Sequence, residues 1–504
     1  MFKQTGVPSH TAVAIVGSGF SGLAMAAELK RSGHDDFVIL ERANDVAGTW
    51  RDNTYPGCAC DVPSHLYSFG FAPNPEWSST FSPQPEIYAY IRGVAEEQGL
   101  MPHIRFGIEV EQADWDDAAQ RWQLKTSGGD LTANAIASAA GPLSEPSIPD
   151  IPGLRDFKGA IFHSATWNHD HDLAGERVAV VGTGASAIQF VPQIQPQVAK
   201  LHLFQRTPPW IMPRPDRPLT KFEKRVYKRF PAAQSAMRGA IYWGRESFAI
   251  PMLHHRLSRV IKRAGLRHLH HQVKDPALRE KLTPHYEPGC KRILVSNDYF
   301  PSLTKENVEV VTDGIAEIRE HSVVDANGVE REVDTIILGT GFHVTDLPIA
   351  ERVRGRDGKT LAEHWDGSLQ ALRGTTVAGF PNLFFVLGPN TGLGHTSVVL
   401  MAEAQAGYIR HALEHMERAG VAAIEPRQQA QDAWNAEIQS KSAGTVWLNG
   451  GCQSWYIDRN GKNSTLWPGH TFKFLGAMKQ FRPSEYRIVP ASVPAATPAE
   501  VPVA

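Results

Sequence analysis

Two glycine turns hold the residues whose types and spacing most plainly suggest chemistry. The first, Gly17-Ser18-Gly19-Phe20-Ser21-Gly22, follows the apolar run at 11–16 and opens the helical run LAMAAELKRSG, which stops at Gly33. In such a turn Gly17 permits the tight reversal, Gly19 lets backbone approach a pyrophosphate, and Gly22 lets the helix pack on the strand. The helix N-terminus then faces the phosphates. A further strand, FVILE, ends at Glu41, 19 residues after Gly22, where a carboxylate suits ribose hydroxyls. Strand, spacing and acid together favour a nucleotide site over a glycine turn without a ligand.

The second turn, Gly182-Thr183-Gly184-Ala185-Ser186-Ala187, follows RVAVV and has a small alanine in place of the third glycine. Its next strand, LHLF, runs into Gln205, Arg206 and Thr207. A cation and a hydroxyl at that place suit a 2'-phosphate, which an acid would repel. The pair of sites therefore reads as FAD at the first turn and NADPH at the second, and implies hydride transfer from nicotinamide to flavin.

The acceptor of those electrons is not a dithiol. No Cys-x-x-Cys occurs, and Cys58 and Cys60 read as ordinary thiols in the loop YPGCACDVPSH, with no second pair at metal-finger spacing. Between the turns lies FKGAIFHSATWNHD, in which Phe157, Gly159, His163 and Trp167 match the pattern F-x-G-x-x-x-H-x-x-x-W. That pattern resembles the fingerprint of the Baeyer–Villiger monooxygenases, a branch of the class B flavin-dependent monooxygenases. Where the fingerprint continues with Pro or Asp this chain has Asn168. The likeness extends over nearly the whole chain, through AGTWRDNTYPGCACDVPSHLYSF, FQRTPPWIMPR, GCKRILVSNDYF, GFPNLFFVLGPNTGLGHTS and GCQSWYIDRNGKNSTLWPG.

The resemblance implies NADPH reduction of FAD, reaction of reduced flavin with O2 to a C4a-peroxyflavin, and attack of that anion on a ketone to give an ester or lactone. It implies that Thr49, Trp50, Asp61 and Tyr67 line the flavin site and that Lys291 joins Arg206 and Thr207 at the 2'-phosphate. It also implies that Arg292 lies beside the flavin with Asp61 orienting it. A guanidinium stays protonated at physiological pH and so suits an anionic dioxygen adduct. Trp455 matches a loop that in relatives closes over the nicotinamide; a buried core tryptophan is the simpler reading. His163 takes a hinge or positioning role, and His254-His255 and His270-His271 read as solvated helix faces.

These residues need elements to position them. The expected fold is α/β, with two dinucleotide-binding (Rossmann-like) domains and a helical insertion: a discontinuous FAD-binding domain at 1–145 and 345–504, and an NADP-binding domain at 146–344. Residues 214–287 form the insertion, where Phe222, Val226, Tyr227 and Phe230 of KFEKRVYKRF are expected to share one face. A disordered tail is expected at 490–504.

The 504-residue length allows two or three cores, and 42% hydrophobic with 21% charged residues is the composition of a globular protein. A net charge of −2 gives no argument for nucleic acid. Four scattered cysteines fit a reducing compartment better than a disulfide scaffold, and no apolar run is long enough for a transmembrane segment. The expected location is cytoplasmic and the expected partners are a small ketone or sulfide and O2. Oxidation of sulfur or nitrogen, a non-catalytic NADP sensor, and peripheral membrane contact through 221–230 stand as alternatives.

Overall fold

The computed structural model describes residues 6–253 and 258–490. β1 (His10–Val16), α1 (Phe20–Arg31) and β2 (Phe37–Glu41) make the expected strand, helix, strand unit. β1 and β2 run parallel, with Val13 opposite Phe37 and Val16 opposite Leu40. Every residue of β2 is buried, and its apolar run Phe37 to Leu40 is that of a strand covered on both faces. The helices α2 (Thr49–Asp52) and α3 (Gln84–Glu97) follow, and β3 (Ile104–Phe106) extends the sheet beyond β2. β4 (Val110–Asp116) and β5 (Arg121–Thr126) pair antiparallel, while β6 (Leu131–Ser138) lies parallel to β1.

Two later segments return to this first sheet. Val353–Arg354 pairs with β4 and Leu383–Phe385 with β6, both in parallel. α1 is buried beneath the long helix Val398–Ala419, with Leu23, Ala27, Ala402 and Ile409 in one cluster.

The second sheet is wholly parallel. Its order is Val308–Val311, β9 (Lys200–Phe204), β8 (Arg177–Val181), Thr335–Leu338 and β7 (Ala160–His163). α4 (Ala187–Ile194) follows β8 and packs Ile188, Phe190 and Val191 into a separate core. The α/β class with two dinucleotide-type sheets is therefore as expected. A three-stranded antiparallel meander, Ile315–Arg319, Ser322–Asp325 and Glu330–Glu332, was not expected; its strands are short and mostly polar, so periodicity hides them.

The fingerprint segment is a packing seam. A Cβ on Gly159 would come within 2.1 Å of the Asp334 carbonyl oxygen, so only glycine lets β7 lie against its neighbour. Trp167 packs its ring on Phe162 and on Phe190 of α4, at 5.1 and 5.3 Å. His163 is buried, accepts the Ala165 amide at Nδ1 and stacks edge-on to Phe342. Burial pushes its imidazole down to about 4.

The segment 214–287, helical as expected, contains α5 (Lys221–Arg229) and α6 (Pro231–Glu246), then Ala249–Leu253, Arg259–Gln272 and Pro276–Lys281. Thr220 and Glu223 form a reciprocal cap at the start of α5. The shared apolar face expected of α5 is corrected: Tyr227 is buried, but Phe222 and Phe230 are 71% and 58% exposed. Phe222 and Tyr227 lie about 140° apart around the helix axis, and Phe230 has left the helix. His270 and His271 end a helix, and no group of residues able to hold a metal occurs among the described residues. His254-His255 fall outside the described residues. So does the expected tail beyond Pro490, which itself ends a strand. No described helix is long and apolar enough to cross a membrane.

Candidate active site

Each glycine turn meets a steric test. Gly17 has φ +100°, and a Cβ there would approach the Ala139 carbonyl oxygen to 2.7 Å; a Cβ on Gly22 would approach the Gly17 carbonyl oxygen to 1.9 Å. These two positions are glycine for the fold itself. At the second turn Gly182 has φ +108° and would meet the Gly339 oxygen at 2.4 Å. Gly184 differs, because a Cβ there would meet no protein atom within 4 Å. A bare backbone there fits the close approach of a pyrophosphate, while Ala187 is fully buried, as the small third position requires.

The strand ends that follow the two turns differ. Glu41 is 4% exposed and both carboxylate oxygens are engaged. Oε2 accepts from Ser18 N and Oγ at 2.9 and 2.6 Å, and Oε1 accepts from Ala43 N and Arg51 Nη1 at 3.0 and 3.1 Å. Arg206 is exposed and Thr207 accepts the Thr183 hydroxyl at its carbonyl, 3.3 Å away. Neither Arg206 nor Lys291 has a carboxylate partner among the described residues. Burial first, and then the Arg206 charge, lower the ammonium of Lys291. Two cations facing each other without an acid are arranged for an external anion.

Their meeting is produced by a short parallel pairing that flanks the helical segment 214–287. Ile211 lies opposite Leu294 and Met212 opposite Val295, which brings the chain after Arg206 alongside the chain after Arg292. Asp61 reaches this place from the loop before α3. Arg292 Nε and Nη2 donate to its two carboxylate oxygens at 2.7 Å each, a bidentate pair across 231 residues of sequence. Burial alone would raise the Asp61 carboxyl, but the Arg292 guanidinium holds it below the usual carboxylate range. Asp61 in turn raises Arg292, so the cation is permanent.

Around the first turn, Phe20 stands edge-on to Tyr67 at 5.1 Å, and Trp50 Nε1 donates to the Tyr67 hydroxyl at 3.0 Å. Thr49 begins the same short helix as Trp50. The loop that carries Asp61 is docked on α4: Gln189 accepts from Tyr55 Oη and exchanges hydrogen bonds with both backbone groups of Ala59. Cys58 and Cys60 are buried and unpaired, and burial pushes the Cys58 thiol up to about 11, which leaves no thiolate for electron relay.

Three features were not read from the sequence. Cys290, next to Lys291, is disulfide-bonded to Cys452, 162 residues on; the scattered count had suggested reduced thiols. The second lies beside Trp455, whose 47% exposure agrees with the loop reading already made and excludes the core alternative, and whose ring is 4.3 Å from that of Tyr456. Tyr456 is buried, interacts with Arg292, and has its phenol raised to about 12 by burial. Its place beside Trp455 was the one available signal. Arg245, at the end of α6, also acts on Asp61 and Arg292. Nothing in its local sequence marks it.

Comparison with known proteins is consistent with this geometry. Residues 10–355 match the family described as flavin-binding monooxygenase-like. A Baeyer–Villiger monooxygenase of Streptomyces coelicolor is 52% identical over 492 residues, covering 97% of this chain and 95% of that protein. A cyclohexanone monooxygenase from Rhodococcus sp. Phi1, solved bound to NADP+, superposes with a TM-score of 0.85 at 28% identity, over 96% of this chain and all of that one. OTEMO, solved with FAD and NADP, gives 0.86 at 25% identity over 95% and 99%.

Proposed function

The chain belongs to the flavin-binding monooxygenase-like family and, within it, to the Baeyer–Villiger monooxygenases, and from that membership we propose how its own residues carry the reaction. The enzyme uses FAD and NADPH to insert one atom of O2 beside a ketone carbonyl. Ketone, O2, NADPH and a proton give ester or lactone, NADP+ and water. Bound FAD supplies the oxygen chemistry and NADPH the hydride.

In this reading residues 1–145 and 345–504 hold FAD, and 146–344, carrying the insertion 214–287, hold NADPH. The backbone of Gly17, Ser18, Gly19 and Phe20 at the start of α1 receives the FAD pyrophosphate, with Gly22 seating the helix. Glu41 orients the ribose, exchanging the Ser18 hydroxyl or Arg51 for a ribose hydroxyl. Thr49, Trp50, Asp61 and Tyr67 shape the flavin pocket. Gly182, Thr183, Gly184, Ala185, Ser186 and Ala187 cradle the NADP pyrophosphate; Arg206, Thr207 and Lys291 bind the 2'-phosphate; and Trp455 covers the nicotinamide side against water.

Arg292 directs a fixed positive charge and hydrogen-bond donors at the oxygen atoms on which negative charge collects. Asp61 fixes the plane of the guanidinium. The bidentate Arg292–Asp61 pair, adjoining the Arg206–Lys291 anion site, is the observation that carries this reading. The substrate is a small ketone, with sulfides as a secondary class.

The test is Arg292→Ala assayed with a panel of ketones, following NADPH consumption and, by mass spectrometry, oxygen insertion. NADPH is still consumed, with release of hydrogen peroxide, while ester formation falls by about 100-fold, the loss of about 3 kcal/mol expected for one oxyanion donor. Wild-type ester yield from the variant removes Arg292 from the mechanism.

A further inference from the structure

Cys290 is bonded to Cys452 in a chain whose other two cysteines, Cys58 and Cys60, stay unpaired. One such bond in 504 residues does little as a scaffold, and outside oxidising compartments a lone disulfide is characteristically a redox device. What it ties together gives it a role. Cys290 is fully buried and directly precedes Lys291 and Arg292, whereas Cys452 is half-buried and lies three residues before Trp455.

The loop from Gly451 to Trp455 has little else to hold it. It is entered at Gly450, whose carbonyl oxygen accepts the Glu287 amide at 2.8 Å. A Cβ on Gly450 would come within 2.6 Å of the Cys290 Cβ, so the chain passes flat against the buried cysteine. The loop is left at Tyr456, which is buried in the same apolar cluster as Cys290 and whose carbonyl oxygen accepts the Thr465 hydroxyl at 3.0 Å. Between these anchors the hydrogen bonds are local, from the Tyr456 and Ile457 amides to Ser454. Among the described residues, the disulfide is therefore the one bonded tie between 451–455 and the rest of the fold. A short loop held at a single point is ordered while that point holds and gains conformational freedom when it opens.

We propose that Cys290–Cys452 is a thiol–disulfide switch. Closed, the bond keeps the Trp455 loop against the segment of Lys291 and Arg292, so that NADP+ is retained and oxygen goes to the ketone. Opened by a dithiol, it releases the loop, and NADPH, O2 and a proton then give NADP+ and hydrogen peroxide without ester. Opening proceeds by thiolate attack on the sulfur of Cys452, the less buried of the two. The Cys290 sulfur leaves with the bonding pair and takes up a proton, and the second thiol of the reductant then displaces Cys452. Two electrons and two protons pass to the protein, and the dithiol becomes a cyclic disulfide. The proposal rests on the roles assigned above to Trp455 and Lys291.

The test compares the FAD-loaded enzyme in two states: air-oxidised, and reduced with dithiothreitol, alkylated with iodoacetamide and freed of reagent. Mass spectrometry finds the Cys290 and Cys452 peptides joined in the first and separately alkylated in the second. Limited chymotrypsin digestion cuts after Trp455 about tenfold faster in the reduced enzyme, because cleavage follows the population of open loop. Without ketone, hydrogen peroxide release in the presence of NADPH rises about tenfold on reduction. Cys452→Ser behaves as the reduced state with or without dithiothreitol, and its melting temperature stays near that of the reduced wild type, which separates the switch from a failure to fold. Equal digestion and equal peroxide release in the two states overturn the proposal, as do free Cys290 and Cys452 thiols in the air-oxidised enzyme. If the oxidised enzyme still gives ester from a ketone in that case, the assigned function stands and only the switch is dismissed. If it gives none, the assignment itself falls.

Discussion

The two glycine turns share a backbone solution and differ in what closes them. At the first, Glu41 is buried under four hydrogen bonds from its own chain, so the acid is held in place before any ligand arrives. At the second, Arg206 is exposed and Lys291 is raised in energy by burial and by Arg206, so the site is assembled but electrostatically incomplete. The first arrangement suits a cofactor that stays and the second one that exchanges each cycle. A preorganised, enclosed site loses little entropy on binding and releases slowly, while an exposed cationic site gains affinity from the ligand's own phosphate.

The contrast is broken most severely at the glycines. Gly22→Ala places a Cβ 1.9 Å from backbone, so it is expected to cost about 4 kcal/mol or more and to yield protein without flavin. Gly184→Ala meets no protein atom, so it should keep the wild-type melting temperature while NADPH affinity drops. Melting curves and flavin content of the two variants, side by side, separate a glycine needed by the fold from one needed by a ligand. Equal behaviour would erase the distinction.

Next in size is the fingerprint seam around His163. His163 is neutral in the fold down to about pH 4, whereas the unfolded chain takes up the proton near 6.5. Its contribution is therefore complete above pH 6.5 and is lost as pH falls towards 4, by up to about 3 kcal/mol. Urea unfolding at pH 7 and pH 4.5 should show a smaller decline for His163→Asn, whose oxygen still accepts the Ala165 amide. An identical decline in both proteins would place the acid sensitivity elsewhere.

The smallest effect sharpens the difference in closure. Arg206→Ala is expected to raise the KM for NADPH about tenfold and that for NADH much less, the loss of one charged contact to the 2'-phosphate. Equal changes for both nucleotides would mean that Arg206 binds something common to them.

Much of this was legible because it is local. The reversal at Gly17 and the apolar run of β2 follow from sterics and from burial on both faces, and both are written in consecutive residues. The fingerprint was also legible as a pattern, although its physical content, Gly159 against Asp334 and Trp167 against Phe190, needed the partners to be visible. The α5 face misled because four apolar residues near helical spacing do not define one stripe when two of them lie about 140° apart.

Sequence by itself determined the two turns, the acid and the cation that follow them, and the α/β class, since backbone sterics and strand burial act over a few residues. The tertiary structure alone decided that Asp61 meets Arg292, that Lys291 faces Arg206, and that Cys290 bonds Cys452. The first two depend on the pairing of Ile211 with Leu294, which brings the chain after Arg206 beside the chain after Arg292. Each joins residues far apart in the chain, and electrostatic energy depends on separation in space, which residue number does not encode.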